Sequence, residues 1–153
     1  MKFIINSSAF LILLLALGCS SPKDVATKRP VVKDNSAVDF VKNSTLTDIT
    51  DQAEREGKLV FLDLYTEWCL PCKLMTEDVY TDQNIGDFMN ANFVNYKVDA
   101  EKGNGPNLRL LYNVENFPGL LFLDAKGRVL EKKLGAAYQT ELLAMANRAI
   151  DRR

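Results

Sequence analysis

The run Leu59-Val60-Phe61-Leu62-Asp63-Leu64-Tyr65 empties, after Thr66-Glu67-Trp68, into Cys69-Leu70-Pro71-Cys72, and no other stretch constrains this chain as much. A largely apolar run bounded by polar residues fits a strand buried on both faces, the kind found inside parallel or mixed sheets. Pro71 stops the strand and suits a first helical turn, where the N–H it lacks would have stayed unpaired anyway. Cys69 then stands exposed at the mouth of a helix, with Cys72 about one turn inside. The spacing puts the two sulfurs within bonding reach.

A thiol attacks only after losing its proton. Free backbone N–H groups and the dipole at a helix start stabilise the thiolate, and each unit by which the thiol pKa falls favours the anion by about 1.4 kcal/mol. The expected cycle is attack by Cys69 on a partner disulfide, then release of the partner by Cys72. A carboxylate inside an apolar run is costly to hold charged, which suits Asp63 to accept the Cys72 proton. Blander readings stand beside this one. Half of a zinc site lacks its other ligands, since the chain has no His and its one further cysteine is Cys19. A purely structural disulfide closing so short a loop removes little chain entropy. Asp63 as a hydrogen-bonded strand residue, Trp68 as a packing residue and Lys73 as a solvated one remain open.

The segment Asp63 to Lys73, ending Trp68-Cys69-Leu70-Pro71-Cys72-Lys73, resembles the active-site segment of thioredoxins, and the likeness continues to about residue 150. Phe117-Pro118-Gly119 before Leu120-Leu121-Phe122-Leu123 resembles the cis-proline loop and the strand after it, and Gly135 matches the glycine near the last strand. The break at Val79-Tyr80-Thr81-Asp82-Gln83 and the pair Val98-Asp99 are closer to the periplasmic thioredoxin-like domain of the DsbD thiol:disulfide interchange family. The resemblance implies an α/β thioredoxin fold, a central mixed β-sheet flanked by helices in a single domain. It also implies that Pro118 faces the cysteines and that Trp68, Pro71, Phe117 and Pro118 form the surface on which substrate docks. Two positions depart from the pattern. Leu70 replaces the usual small glycine, which bears on potential and partner choice. Asn95 falls where thioredoxins often pair a lysine with the buried carboxylate, and Lys97 follows two residues on.

With 153 residues, one domain is the natural count, and its core needs no disulfide staples. A net charge of -1 gives no case for a nucleic-acid partner. The lack of histidine removes Ser-His-Asp and Cys-His catalysis, and no Gly-rich phosphate loop follows a strand, so neither a cofactor nor a metal is expected.

Residues 1–18 read as a signal peptide: Lys2, then the apolar core Ala9 to Leu17, too short to span a bilayer comfortably. Ala16-Leu17-Gly18-Cys19 resembles a bacterial lipobox, with Cys19 lipidated after cleavage; ordinary secretion with Cys19 left over is the rival. Residues 19–36 read as the lipidated cysteine and a flexible tether, and residues 37–153 as the thioredoxin-like domain.

Within that domain the pattern predicts an edge strand over Ala37–Lys42, a helix over Thr47–Glu56 and a helix over Asn84–Asn92. A strand over Phe93–Val98 and a short helix over Pro106–Tyr112 follow. A hairpin turn at Asp124–Gly127 leads into a strand to Leu134, and a last helix covers Thr140–Asp151. Leu74 and Met75 are expected to turn towards the core.

The reading is a membrane-anchored thiol-disulfide oxidoreductase acting outside the cytoplasm, facing the periplasm of a bacterial envelope. Its expected partners are disulfide-containing exported proteins and a membrane electron donor. Leu70-Pro71 offers no charge to stabilise a reduced thiolate, which favours a reductant over an oxidase or isomerase. A Cu(I) carrier using the same two thiolates, and a docking domain without catalysis, are the alternatives from other classes.

Overall fold

The structure, a computed structural model, describes residues 35–153. The expected signal peptide, the lipidation site at Cys19 and nearly all of the tether lie outside the described residues. A five-stranded sheet runs in the order β1-β3-β2-β4-β5, where β1 is Phe40–Val41, β2 Leu59–Tyr65, β3 Phe93–Asp99, β4 Gly119–Leu123 and β5 Val129–Leu134. The first three strands in this order are parallel, while β4 runs antiparallel to β2 and β5 to β4. Five helices flank the sheet: α1 Leu46–Glu56, α2 Leu70–Leu74, α3 Gln83–Asn92, α4 Gly105–Leu111 and α5 Gln139–Asp151. A π-helical turn, Met75–Val79, continues α2.

Strand alternation sorts the apolar side chains into two cores. Phe61 and Phe122 point to one face, where Phe40, Met75, Tyr80, Ile85, Met89 and the α5 residues Leu142 and Ala146 close over them. Val60, Leu62, Leu64, Leu121 and Leu123 point to the other, under Ile49, Ala53 and Leu108 of α1 and α4. Each of the large side chains fully buried here contributes about 1.5–3 kcal/mol over remaining in water, which fixes the register of β2 between β3 and β4.

Local chemistry sets the helix boundaries. Thr45 caps α1 in a reciprocal box with Asp48, and Gly57 closes it at φ 63°, a left-handed value that disfavours side chains. Asp82 caps α3 by accepting the N–H groups of Asn84 and Ile85. The helices and inner strands fall within one or two residues of the pattern read from sequence.

Two expectations fail. The edge strand is only Phe40–Val41, because the N–H groups of Ala37 and Val38 donate to the Tyr80 carbonyl at 2.7 and 3.2 Å instead of to a neighbouring strand. Leu74 is 48% exposed while Met75 is buried, since the turn widens at Met75 and carries Leu74 to the outer face.

Candidate active site

Cys69 caps the first turn of α2 with extended backbone, φ -76° and ψ 105°. Its Sγ accepts the Cys72 N–H at 3.2 Å and its carbonyl accepts the Lys73 N–H at 3.2 Å. Pro71 sits in the first turn, as the sequence suggested. The sulfurs of Cys69 and Cys72 are bonded at 2.05 Å, across a Cα separation of 5.3 Å. Cys69 was expected to be exposed, yet both cysteines are buried, at 3% each. Its sulfur turns inward to bond Cys72 and accept the N–H, and the apolar surface on either side belongs to Trp68 and Leu70, both about two-thirds exposed.

The Phe117–Pro118 peptide is cis. The Pro118 carbonyl accepts the Gly135 N–H at 2.8 Å, tying the loop to the end of β5. Gly119 follows because a side chain there has no room: a Cβ would lie 2.5 Å from Cγ1 of Val114. The Trp68 ring meets the Phe117 ring edge-on at 6.0 Å between centres. That contact brings the residue before Cys69 against the residue before Pro118. Trp68 Nε1 also donates to the Glu101 carboxylate at 3.1 Å, and the Arg109 guanidinium lies 5.7 Å from the Phe117 ring centre.

Asp63 is buried in the middle of β2, opposite Lys97 on β3 and Leu120 on β4. Lys97 Nζ lies 3.3 Å from Asp63 Oδ2, and Tyr80 Oη donates to the same oxygen at 3.1 Å. Asp63 Oδ1 has no hydrogen-bond partner. The lysine that pairs with the carboxylate is thus Lys97 and not a residue at position 95. Asn95 stands opposite Phe61, one pleat away, and donates to Asn90 Oδ1 at 3.0 Å. Lys97 also donates to Thr76 Oγ1 at 2.9 Å. Its ammonium sits among three rings, 5.2 Å from Phe40, 5.2 Å from Tyr65 and 4.9 Å from Tyr80. Burial, reinforced by the charge and hydrogen bond of Asp63, pushes the Tyr80 hydroxyl well above its usual range and keeps it a donor. Burial first, then Asp99, Glu67 and Asp63, raises Tyr65.

A hollow of about 300 Å³ has Cys72, Thr76, Lys97 and Tyr65 in its lining. Cys72 and the cation that pairs with Asp63 therefore share one solvent-reaching space. The sequence singled out Cys69, Cys72, Asp63, Trp68, Pro71, Phe117 and Pro118, and it did not single out Tyr80 and Thr76 as site residues, which the structure sets against the Asp63–Lys97 pair. A tyrosine beside Val79 in a buried turn was the available signal, because a fully buried hydroxyl needs a partner.

Comparison with known proteins agrees with this geometry. The family model Thioredox_DsbH, described as a protein of unknown function, DUF255, matches residues 32–115, more than half of the chain. The thiol:disulfide interchange protein DsbD of Tatumella citrea is 32% identical over 131 residues, covering 82% of this chain and 23% of that protein. DsbD of Actinobacillus pleuropneumoniae is 36% identical over 94 residues, 60% of this chain and 16% of that protein. The chain thus spans about a quarter or less of the length of these curated relatives. Among solved structures, a Bacteroides thetaiotaomicron protein described as a candidate disulphide-isomerase is 35% identical, with a TM-score of 0.68 over 79% of this chain and 99% of that one. A Thermus thermophilus thioredoxin shares the fold at 20% identity, with a TM-score of 0.65 over 74% of this chain and 88% of that one. A sheet of this order, a cysteine pair bonded at the start of α2 and relatives of this kind place the chain in the Thioredox_DsbH family, among the thioredoxin-like disulfide oxidoreductases.

Proposed function

We propose that this protein reduces disulfides in exported proteins in the bacterial envelope, outside the cytoplasm, held near a membrane by a lipid on Cys19. The observation that carries the chemistry is the Cys69–Cys72 bond at a helix mouth, with the Cys72 N–H aimed at Cys69 Sγ. The same N–H, together with the helix dipole, favours a thiolate on Cys69 once the pair is reduced. Cys69 attacks a partner disulfide and forms a mixed disulfide, releasing one partner sulfur as a thiol. Asp63 then takes the Cys72 proton, and Cys72 attacks Cys69 Sγ. The partner leaves with both sulfurs reduced, and the chain is left oxidised. A membrane electron donor restores the dithiol. Trp68, Pro71, Phe117 and Pro118 form the docking surface; the exposed Trp68 ring and its contact with Phe117 support that role. Anchorage is assigned to the lipid at Cys19 and the tether, residues 19–36, on the lipobox-like Ala16-Leu17-Gly18-Cys19. No helix among the described residues is long and apolar enough to cross a membrane.

The likeness to the Bacteroides thetaiotaomicron protein favours a second reading, isomerisation of wrongly paired disulfides by the same cysteines. The reduction potential separates the two: a value close to thioredoxin, about -270 mV, supports the reductase, and one near protein disulfide isomerase, about -180 mV, supports the isomerase. Cys72→Ser tests the roles of the cysteines. It is expected to trap partners as mixed disulfides on Cys69, whereas trapping by Cys69→Ser would reverse the assignment.

A further inference from the structure

One member of the polar cluster at Asp63 has no part in the steps above. Tyr80 is fully buried and meets both halves of the ion pair. Its hydroxyl donates to Asp63 Oδ2, and its ring faces the Lys97 ammonium at 4.9 Å. We infer that Tyr80 is a positioning residue for disulfide exchange, fixing the Asp63–Lys97 pair so that Oδ2 holds the charge and Oδ1 is the oxygen that takes the Cys72 proton. The inference rests on the proton-accepting role proposed for Asp63.

The physical case is geometric. Rotation about the bond to a carboxylate is soft, so a lone Asp in an apolar core would present either oxygen. Two donors on one oxygen remove that freedom: Lys97 Nζ from β3 and Tyr80 Oη from the turn after Val79. The aromatic ring keeps the ammonium in place from a third direction, with Phe40 and Tyr65 completing the enclosure. Thr76 Oγ1 accepts from the same ammonium, and β4 sets only apolar Leu120 opposite Asp63. Tyr80 touches both members of the pair and Tyr65 faces Lys97, while Cys72 lines a hollow with Lys97 into which Lys42, Glu67, Lys73 and Glu77 also reach. In the resolving step the Cys72 S–H proton passes to Oδ1 and the Cys72–Cys69 bond forms. The Cys69–partner bond breaks, and its electron pair leaves on the partner sulfur, which is protonated from water.

Stopped-flow reaction of the reduced protein with 5,5'-dithiobis(2-nitrobenzoate) separates the steps, since attack by Cys69 releases one coloured thiolate and attack by Cys72 releases the second. Tyr80→Phe keeps the ring and removes the hydroxyl. It is expected to leave the first phase unchanged and slow the second about tenfold at neutral pH, the scale of one hydrogen bond to a charged group. In an Asp63→Asn background, Tyr80→Phe is expected to add nothing, because its effect runs through Asp63. A second phase in Tyr80→Phe that matches the parent in rate, while Asp63→Asn is slow, overturns the inference and leaves the Asp63 role intact. If Asp63→Asn also matches the parent, both fall, and the failure is traced to Asp63. Unchanged near-ultraviolet circular dichroism and thermal midpoint in Tyr80→Phe identify the effect as local.

Discussion

Two carboxylates, Asp63 and Asp124, are almost equally hidden, at 1% and 9% exposure, and they are held in opposite ways. Asp124 follows β4 at the hairpin turn, where both of its oxygens are answered. Its Oδ1 accepts the N–H groups of Lys126 and Arg128 at 2.9 Å, and its Oδ2 accepts Arg128 Nε at 2.5 Å. Burial pushes this carboxyl up, but the Arg128 and Lys126 donors outweigh it and hold the group below its ordinary value. Asp63 has both donors on one oxygen and none on the other. Burial is common to the two, so burial does not separate them. Incomplete satisfaction does: a carboxylate bonded on both oxygens is suited to build a turn, and one with an open oxygen is suited to take a proton, the role proposed for Asp63.

Replacing each carboxylate tests that contrast. Asp63→Asn should slow the resolving phase a hundredfold or more, the range for loss of a general base. Asp124→Asn should leave both phases as they are, and an equal slowing in the two variants would erase the distinction. Next in size is Lys97→Met, which strands a buried carboxylate and should cost about 3–5 kcal/mol in urea unfolding at neutral pH. A loss under about 1 kcal/mol would mean that the rings and Tyr80 alone hold Asp63. Smallest is Asp124→Asn itself, which should lose about 1 kcal/mol at neutral pH as the turn gives up charge-assisted bonds. Because the folded carboxyl is held low, its stabilisation is present above the unfolded value and disappears as pH falls through the folded one. The gap between parent and Asp124→Asn should therefore close below about pH 4. A gap that persists in acid would show that the amide, not the charge, is at fault.

The sequence made one half of the site readable and hid the other. Asp63, Cys69 and Cys72 lie within one strand-to-helix segment, so their relation is a matter of local spacing. The pairing of Asp63 with Lys97 depends on the register between β2 and β3, which puts position 97 and not 95 across from the carboxylate. Tyr80 reaches Asp63 only because the π-turn at Met75–Val79 swings the chain back over the sheet, and no periodicity announces such a turn. The Trp68–Phe117 contact joins residues far apart in sequence and rests on the tertiary fold alone. The Phe117–Pro118 bond was legible through its resemblance to a known loop, and its cis state agrees with that reading.

The short β1 has an effect on its own flank of the sheet. It pairs with β3 only at Asn95 and Tyr96, so from Lys97 to Asp99 no strand among the described residues runs along that side. In the uncovered space lies a hollow of about 260 Å³ lined by Lys42, Tyr65, Tyr96, Lys97 and Asp99, and Lys42, Tyr65 and Lys97 line the space at Cys72 as well. A longer β1, continuing its pairing past Val41 along Lys97 to Asp99, would have walled this flank shut. By stopping early, the chain leaves a doorway through which water reaches the lysine beside an otherwise sealed acid.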